Sequence, residues 1–444
     1  MSQQSALRAL LIAASLAACL FLYLHISSQQ FAVNNKLKRT DQGAYLEFAK
    51  RAYESGFTYT GGRARMPLFP WLQALFYSPE MSDEAFFAQG KQVNIAISLV
   101  ALATLGCLFF SQLPRLYAVY ALAVISYLFF ALKAPYFQAE ILYYALFAFA
   151  FILSINAIQK PRWYKTVGLG LLLGLAQYSK ASAILCLALY SCSYLVPFAL
   201  EFGNQRLNAR ELLRMAAHAL APVFIFTLLL SPYFIESKQR YGQYLYNVST
   251  TLYIWYDSWD EVKAGARAAG DREGWPNLPD EEIPSLAKYL AERSAGDILN
   301  RFSTSLHRFL QSINWYGLPF HICVGILLLV GCLASGLPGG QNRISRADLH
   351  LCLYLMAFFA AYSLSTIWYW PIVQAPRVTL MILIPFFWVL GLALKSLPIA
   401  SLEKPAIGNA LTRWHVIYAL VYLVTFFQIY EMAAFRSAEN YAGG

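Results

Sequence analysis

Charged residues are scarce in this chain. Asp, Glu, Lys and Arg make up only 13% of its 444 residues, whereas a soluble domain has about a quarter. Hydrophobic residues make up 58%, and apolar runs of about 18–20 residues, long enough to cross a bilayer as a helix, recur along the chain. Only helices and closed barrels satisfy the backbone in lipid. The runs are continuous rather than alternating, so we expect an all-α polytopic membrane protein.

The cysteines lack the spacing that is typical of metal binding or disulfide bonding. All seven lie in apolar segments, and no two of them form a C-x-x-C pair. The sequence therefore predicts neither a structural disulfide nor a zinc site. The seven cysteines are Cys19, Cys107, Cys186, Cys192, Cys323, Cys332 and Cys352. Internal repeats and low-complexity tracts are also missing.

The apolar runs predict about eleven transmembrane helices. The first run is interpreted as a retained anchor helix, because no clear small-residue cleavage site follows it. The predicted spans are residues 6–26, 91–111, 115–132, 139–158, 166–179, 181–199, 214–231, 315–335, 348–367, 377–396 and 413–432.

The formal charge of +10 does not require a nucleic-acid partner, because much of it lies in short loops on one side of the predicted membrane. The positive-inside rule makes that side cytoplasmic. The N-terminus is then cytoplasmic and the C-terminus outside. The basic residues on this side are Arg115, Lys160, Arg162, Lys165, Arg206, Arg210, Arg214, Arg343, Arg346, Lys395, Lys404 and Arg413.

Two long segments, residues 27–90 and 232–312, fall outside the membrane in this topology. They divide the chain into an N-terminal transmembrane module (1–231) that contains the first outer loop, an extracytoplasmic subdomain (232–312) and C-terminal transmembrane helices (313–444). In the first loop, apolar residues at helical spacing predict an amphipathic helix over 42–55, lying along the membrane surface.

Asp41 precedes this helix and has two interpretations that do not exclude each other. As the helix N-cap, its carboxylate would accept a backbone N–H. As a carboxylate at the outer membrane surface, it could take a proton from an incoming hydroxyl or amine.

The stretch RTDQGAYLEFAKRAYESGFTYTGGRARMPLFPWL, residues 39–72, resembles the first outer loop of the glycosyltransferase-C (GT-C) superfamily. The nearest branches are the protein O-mannosyltransferase-like and lipid A aminoarabinose transferase-like enzymes, which use a polyprenyl-phosphate sugar as donor. The resemblance implies the GT-C fold and makes Asp41 the catalytic base. Tyr45 lies on the predicted helix after Asp41, and an arginine–proline element of these enzymes falls on Arg63 or Arg65. We assign these three residues to substrate binding.

Three later segments resemble the same enzymes. In KAPYFQAEILYYALFAFAF, the acidic residue that opens a span is Glu140, which in the functional interpretation holds a substrate or a metal beside Asp41. In LGLAQYSKASAIL and WYWPIVQAPRVTLMILIPFF, the basic residues are Lys180 and Arg377, which the resemblance assigns to the donor phosphate. Each residue also has a plain interpretation.

In the plain interpretation, Glu140 is a first-turn residue favoured by the helix dipole. Lys180 snorkels to the interface, and Arg377 flanks a helix. Arg63 and Arg65 contact lipid headgroups.

These features predict an inverting membrane glycosyltransferase, of the hexosyl- or pentosyltransferase kind. It would transfer a monosaccharide from a polyprenyl phosphate to a glycan, lipid or protein acceptor. We expect it in a bacterial inner membrane, with its active site on the periplasmic face. No cofactor is expected, and Gln42 in place of an acidic neighbour of Asp41 argues against a required divalent metal.

The alternative is a transporter or lipid flippase, which would also place charges among its helices. The lack of an inverted repeat and of paired broken helices, and the large polar outer segment, favour the enzyme.

Overall fold

The computed structural model describes residues 3–37, 41–203, 208–270, 279–314, 346–373 and 377–396. Regular structure in this part of the chain is helical throughout, with no β-strand. The first ten helices are α1 Gln3–Val33, α2 Gln42–Glu54, α3 Leu68–Ala74, α4 Asp83–Gln112, α5 Arg115–Ile125, α6 Glu140–Gln159, α7 Trp163–Ser179, α8 Ile184–Ser193, α9 Leu195–Gly203 and α10 Ala209–Tyr241. The others are α11 Val248–Thr251, α12 Trp259–Val262, α13 Leu286–Glu292, α14 Ala295–Asn314, α15 Arg346–Tyr369 and α16 Arg377–Ser396.

Seven of the eleven predicted spans each fall on one helix. Span 115–132 continues past the end of α5, span 181–199 covers α8 and α9, and the spans 315–335 and 413–432 lie outside the described residues. Several helices are apolar and long enough to cross a bilayer, so the chain has the architecture of a multi-pass membrane protein. The total of eleven spans stays a prediction. Within the described residues, the five long candidate spans are Ile12–Val33, Asp83–Gln112, Glu140–Gln159, Ala209–Tyr241 and Leu349–Tyr369.

Helix α6 lies at the centre of the bundle. It is buried along most of its length and packs against α7, α15 and α16. The rings of Phe151 and Phe358 lie 4.4 Å apart between centroids. The hydroxyls of Ser154 and Tyr354 are 2.7 Å apart, which gives each a hydrogen-bonding partner where water is absent.

Helices α7 and α10 approach closely because α7 presents two glycines to its neighbour. A Cβ at Gly170 would lie 2.7 Å from the Pro222 carbonyl oxygen, and one at Gly174 would lie 2.6 Å from Leu229 Cδ2. Small residues four positions apart on one helix face commonly allow two helices to pack closely in membranes.

We expect Gly170→Ala to destabilise the protein by about 1–3 kcal/mol, because the clash is with backbone atoms that cannot rotate away. The matched control is Gly106→Ala, where the nearest atom to an added Cβ is 3.7 Å away. The measurement is thermal unfolding in detergent. Equal midpoints for the two variants would contradict this packing argument.

The polar segment after α10 folds into short helices. The α10 helix itself continues through the predicted boundary at residue 231 and ends at Tyr241, where Gly242 adopts a left-handed conformation (φ 71°). Farther on, α14 is strongly amphipathic and packs against α15.

Candidate active site

One end of the bundle collects the charged residues that the sequence singles out. We call it the Glu140 end, after the first residue of α6. Here the Asn34 amide donates to Gln42 Oε1 (2.8 Å) and to the Pro135 carbonyl (2.7 Å). The Phe137 N–H donates to Gln42 Oε1 as well (2.9 Å). The end of α1, the start of α2 and the loop before α6 are thereby held together.

Asp41 directly precedes α2, but its side chain makes no capping hydrogen bond. Its Oδ1 lies 2.6 Å from Arg65 Nη2. Asp41 therefore occupies the predicted N-cap position, but the predicted hydrogen bond from a backbone N–H to its carboxylate is absent. The Asp41 side chain is 42% exposed, so a molecule at the Glu140 end can reach it.

Tyr45 lies one turn into α2, beneath this ion pair. Its ring centroid is 5.4 Å from the Arg65 guanidinium carbon and 5.5 Å from the Phe69 ring, edge to face. The predicted helix 42–55 is confirmed as Gln42–Glu54, and its apolar face packs on α3. Its location on the membrane surface stays a prediction.

Glu140 and Lys180 form a second ion pair, with Lys180 Nζ 2.9 Å from Glu140 Oε1. Glu140 lies in the first turn of α6, as its plain interpretation expected, and its side chain is almost fully buried. Lys180 is the C-cap residue of α7, and its side chain is 28% exposed. The exposed cation is thus positioned by a buried carboxylate.

Arg377 is the first residue of α16. One turn later, Met381 accepts a hydrogen bond from the Tyr143 hydroxyl (3.4 Å), which lies in the first turn of α6. The two helices therefore begin at the same end of the bundle, and the backbone of Arg377 lies at the Glu140 end.

Arg63 has no exposed surface, unlike Arg65. Its Nη2 lies 3.2 Å from Glu236 Oε2, and its guanidinium carbon is 3.8 Å from the centroid of the Tyr233 ring. The residue adopts a left-handed conformation (φ 59°), and its carbonyl accepts the Asn247 amide at 2.9 Å. Arg63 joins the first loop to α10 and the segment after it.

Glu236 is a member of this site that the sequence did not single out. It also pairs with Arg240 (3.0 Å) and accepts a hydrogen bond from the Thr60 hydroxyl. The available signal was an acidic residue near the end of a largely apolar helix, a position where charges are usually functional or paired.

A comparison with known families adds to this geometry. Residues 64–235 match the family of dolichyl-phosphate-mannose-protein mannosyltransferases. The predicted resemblance to the GT-C superfamily is confirmed over these residues, and the match indicates a membrane glycosyltransferase of the GT-C type. No curated protein and no solved structure matches the chain.

The matching segment, residues 64–235, begins just before α3 and ends within α10. It contains Arg65, Glu140 and Lys180, whereas Asp41 and Arg377 lie outside it. Each of the two ion pairs therefore has at least one member in the matching segment. In the described residues, no three His, Cys, Asp or Glu side chains are grouped as metal ligands.

The polar segment is held together internally by the carboxylate of Asp257. Asp257 accepts from Arg301 Nη1, Arg293 Nε and the Tyr289 hydroxyl, each at 2.9 Å. Burial raises the pKa of the Tyr289 phenol, which keeps it a donor to this carboxylate.

Arg301 links this cluster to the end of α15. Its guanidinium carbon lies 4.1 Å from the centroid of the Trp368 ring, and its Nη2 donates to the carbonyls of Trp368 (3.0 Å) and Ile254 (3.1 Å). The side chain is almost fully buried. The segment after α10 is thus docked on the bundle rather than extended from it.

Proposed function

We propose that the protein transfers a monosaccharide from a polyprenyl phosphate to a hydroxyl- or amine-bearing acceptor, with inversion at the anomeric carbon. The observation that carries the proposal is the pair of ion pairs at the Glu140 end, Asp41–Arg65 (2.6 Å) and Glu140–Lys180 (2.9 Å). The Asp41 side chain in the first pair and the Lys180 side chain in the second are both partly exposed. The family match to residues 64–235 supports glycosyl transfer as the chemistry.

Asp41 acts as the general base in this proposal. It takes the acceptor proton as the acceptor atom forms its bond to the anomeric carbon, and the bond from that carbon to the phosphate oxygen breaks. The polyprenyl phosphate leaves with the bonding electron pair. Phosphate leaves already ionised, so no strong general acid is needed. Arg65 fixes the direction of the Asp41 carboxylate through its charge-assisted hydrogen bond.

Lys180 binds the donor phosphate, held in place by Glu140. Arg377 adds a second cation, since α16 begins beside the first turn of α6. The positive end of the α16 dipole also favours an anion there. The prenyl chain lies in the bilayer between spans, which brings the phosphate to the level of the helix ends.

Substrate binding involves Arg65 and Tyr45 beside Asp41, and Arg63 supports them from beneath. The Nε of Arg65 is buried and makes no hydrogen bond among the described residues, so it is a donor for a substrate oxygen. The docked segment within 232–312 helps to select the acceptor. The Glu140 end faces the periplasm of a bacterial inner membrane, following the charge of the short loops.

The test is mass spectrometry of lipids that co-purify with the protein in mild detergent. We expect a polyprenyl-phosphate sugar on the wild-type protein and at least a tenfold smaller amount on Lys180→Met, because a charge-assisted hydrogen bond to phosphate is lost. The matched control is Lys238→Met, an exposed lysine of α10 that contacts only the Gly242 carbonyl and the Tyr244 ring among the described residues.

Three results would contradict the proposal. The first is the absence of any polyprenyl-linked sugar from the wild-type protein under conditions that retain other lipids. The second is equal retention by wild type and Lys180→Met, which would remove Lys180 from the donor site. The third is equal loss from both lysine variants, which would indicate a non-specific charge effect.

A further inference from the structure

A second charged site lies at the opposite end of α6 and α7, which we call the Gln159 end. An open recess of about 480 Å³ lies at the connection between α6 and α7, beside the start of α10. Four of its six lining residues are cationic, and none is acidic. The six are Lys160, Pro161, Arg162, Tyr164, Lys165 and Arg214.

The positive charge of this recess is not neutralised by the described part of the chain. Lys165 donates hydrogen bonds to the carbonyls of Asn156 (2.9 Å) and Lys160 (3.0 Å). Its partners are therefore backbone carbonyls at the C-terminal end of α6. None of the four cations has a carboxylate within ion-pairing distance among the described residues. The net charge of the lining is therefore about four positive units, which favours an anion.

The backbone adds to this preference. Helix α7 begins at the recess, with Arg162 in an extended conformation at its N-cap and no side chain capping the first amides. The first N–H groups of a helix lack partners within the helix, and its dipole places partial positive charge at this end. Phosphate groups are commonly bound where such an N-terminus meets cationic side chains.

The surroundings of the recess fit a bilayer interface. Trp163 and Tyr164, at the start of α7, are 75% and 57% exposed. Exposed Trp and Tyr at a helix end are typical of the level of lipid headgroups. Leu213, directly before Arg214, is 72% exposed, so apolar surface adjoins the cations as acyl chains adjoin a headgroup.

We propose that this recess binds the phosphate of an anionic phospholipid headgroup from the leaflet at the Gln159 end. The lipid's phosphate neutralises the cations of the α6–α7 turn and Arg214, and its acyl chains lie against the exposed side chains of α7 and α10. A lipid held there ties α7 to α10 at the end away from Glu140 and Lys180. The inference does not depend on the reaction proposed for the Glu140 end.

The experiment compares phosphatidylglycerol binding to Arg162→Gln/Arg214→Gln with binding to a control that loses two cations from the same end of the bundle. That control is Arg115→Gln/Lys395→Gln, both exposed and outside the recess. Arg115, at the start of α5, and Lys395, near the end of α16, lie at the same end of the bundle because Gly391 of α16 lies against Tyr117 of α5. Affinity is measured by native mass spectrometry and by thermal stabilisation in detergent, with phosphatidylcholine as the zwitterionic lipid.

We expect roughly 30-fold weaker phosphatidylglycerol binding for the recess variant, from about fivefold for each cation near a phosphate. The control variant should bind as the wild type does, and Arg162→Lys/Arg214→Lys should retain most of the affinity. Unfolding without added lipid verifies that every variant is folded.

Equal phosphatidylglycerol affinity in the recess variant and the wild type would overturn the proposal. Equal stabilisation by phosphatidylcholine would do so too, since the site would then not select charge. Stabilisation by inorganic phosphate without any by phosphatidylglycerol would assign the recess to a soluble anion instead of a lipid.

Discussion

Asp41→Asn is expected to lower the rate of sugar transfer about a thousandfold, the usual contribution of a general base. The amide keeps the size of the side chain and can still accept a hydrogen bond from Arg65, but it cannot take the acceptor proton at neutral pH. The donor phosphate contacts Lys180 in the proposed site, so donor retention should stay near the wild-type level.

The rate is measured as release of polyprenyl phosphate from the co-purified donor, with membrane extract as the source of acceptor. Glu47→Gln is the matched control, because Glu47 is an exposed acid of the same helix whose partner is Arg51. Transfer at the wild-type rate by Asp41→Asn would exclude Asp41 as the base. Loss of donor together with activity would instead give Asp41 a role in binding.

Glu236→Gln is expected to destabilise the protein by about 2–4 kcal/mol, because it leaves a buried cation without its counter-ion. Arg63 has no exposed surface, and Glu236 supplies its ion pair (3.2 Å). The Tyr233 ring under the guanidinium compensates only part of this cost. The control, Arg240→Gln, removes the exposed partner of the same carboxylate and should cost less than about 0.5 kcal/mol.

A double-mutant cycle separates this charge effect from loss of packing. Arg63→Met/Glu236→Gln should be more stable than Glu236→Gln alone, since no unpaired charge remains buried. Thermal unfolding in detergent gives the comparison for all four proteins. A double variant less stable than either single variant would contradict the argument and give Arg63 a packing role independent of its charge.

The positions of most helices could be predicted because each helix follows from the pattern of apolar residues in its own segment. Continuous apolar runs predicted α4, α6 and α10, and helical spacing predicted α2 within one residue of its observed end. The structure extends α4 to Asp83, eight residues before the predicted span. Ser82 caps this helix by accepting the Ala85 N–H, and the first turn contains Asp83 and Glu84. A pattern of apolar residues cannot predict such a polar first turn.

The partners of the site residues were less predictable than the residues themselves. Asp41, Glu140 and Lys180 stood out by type and position, but their contacts depend on which helix ends meet. Glu236 and Arg63 are far apart in sequence, and no local pattern links them. The N-cap position of Asp41 was predictable, but its ion pair with Arg65, 24 residues later, was not.

The length of α10 sets where the carboxylate of Asp41 lies relative to the lipid. Its 33 residues span about 50 Å at 1.5 Å per residue, about 20 Å more than the hydrocarbon core. Glu236, near its projecting end, holds Arg63, and Arg65 two residues later holds Asp41. In the proposed enzyme, the length of α10 therefore sets the height of Asp41, the proposed base, above the hydrocarbon core.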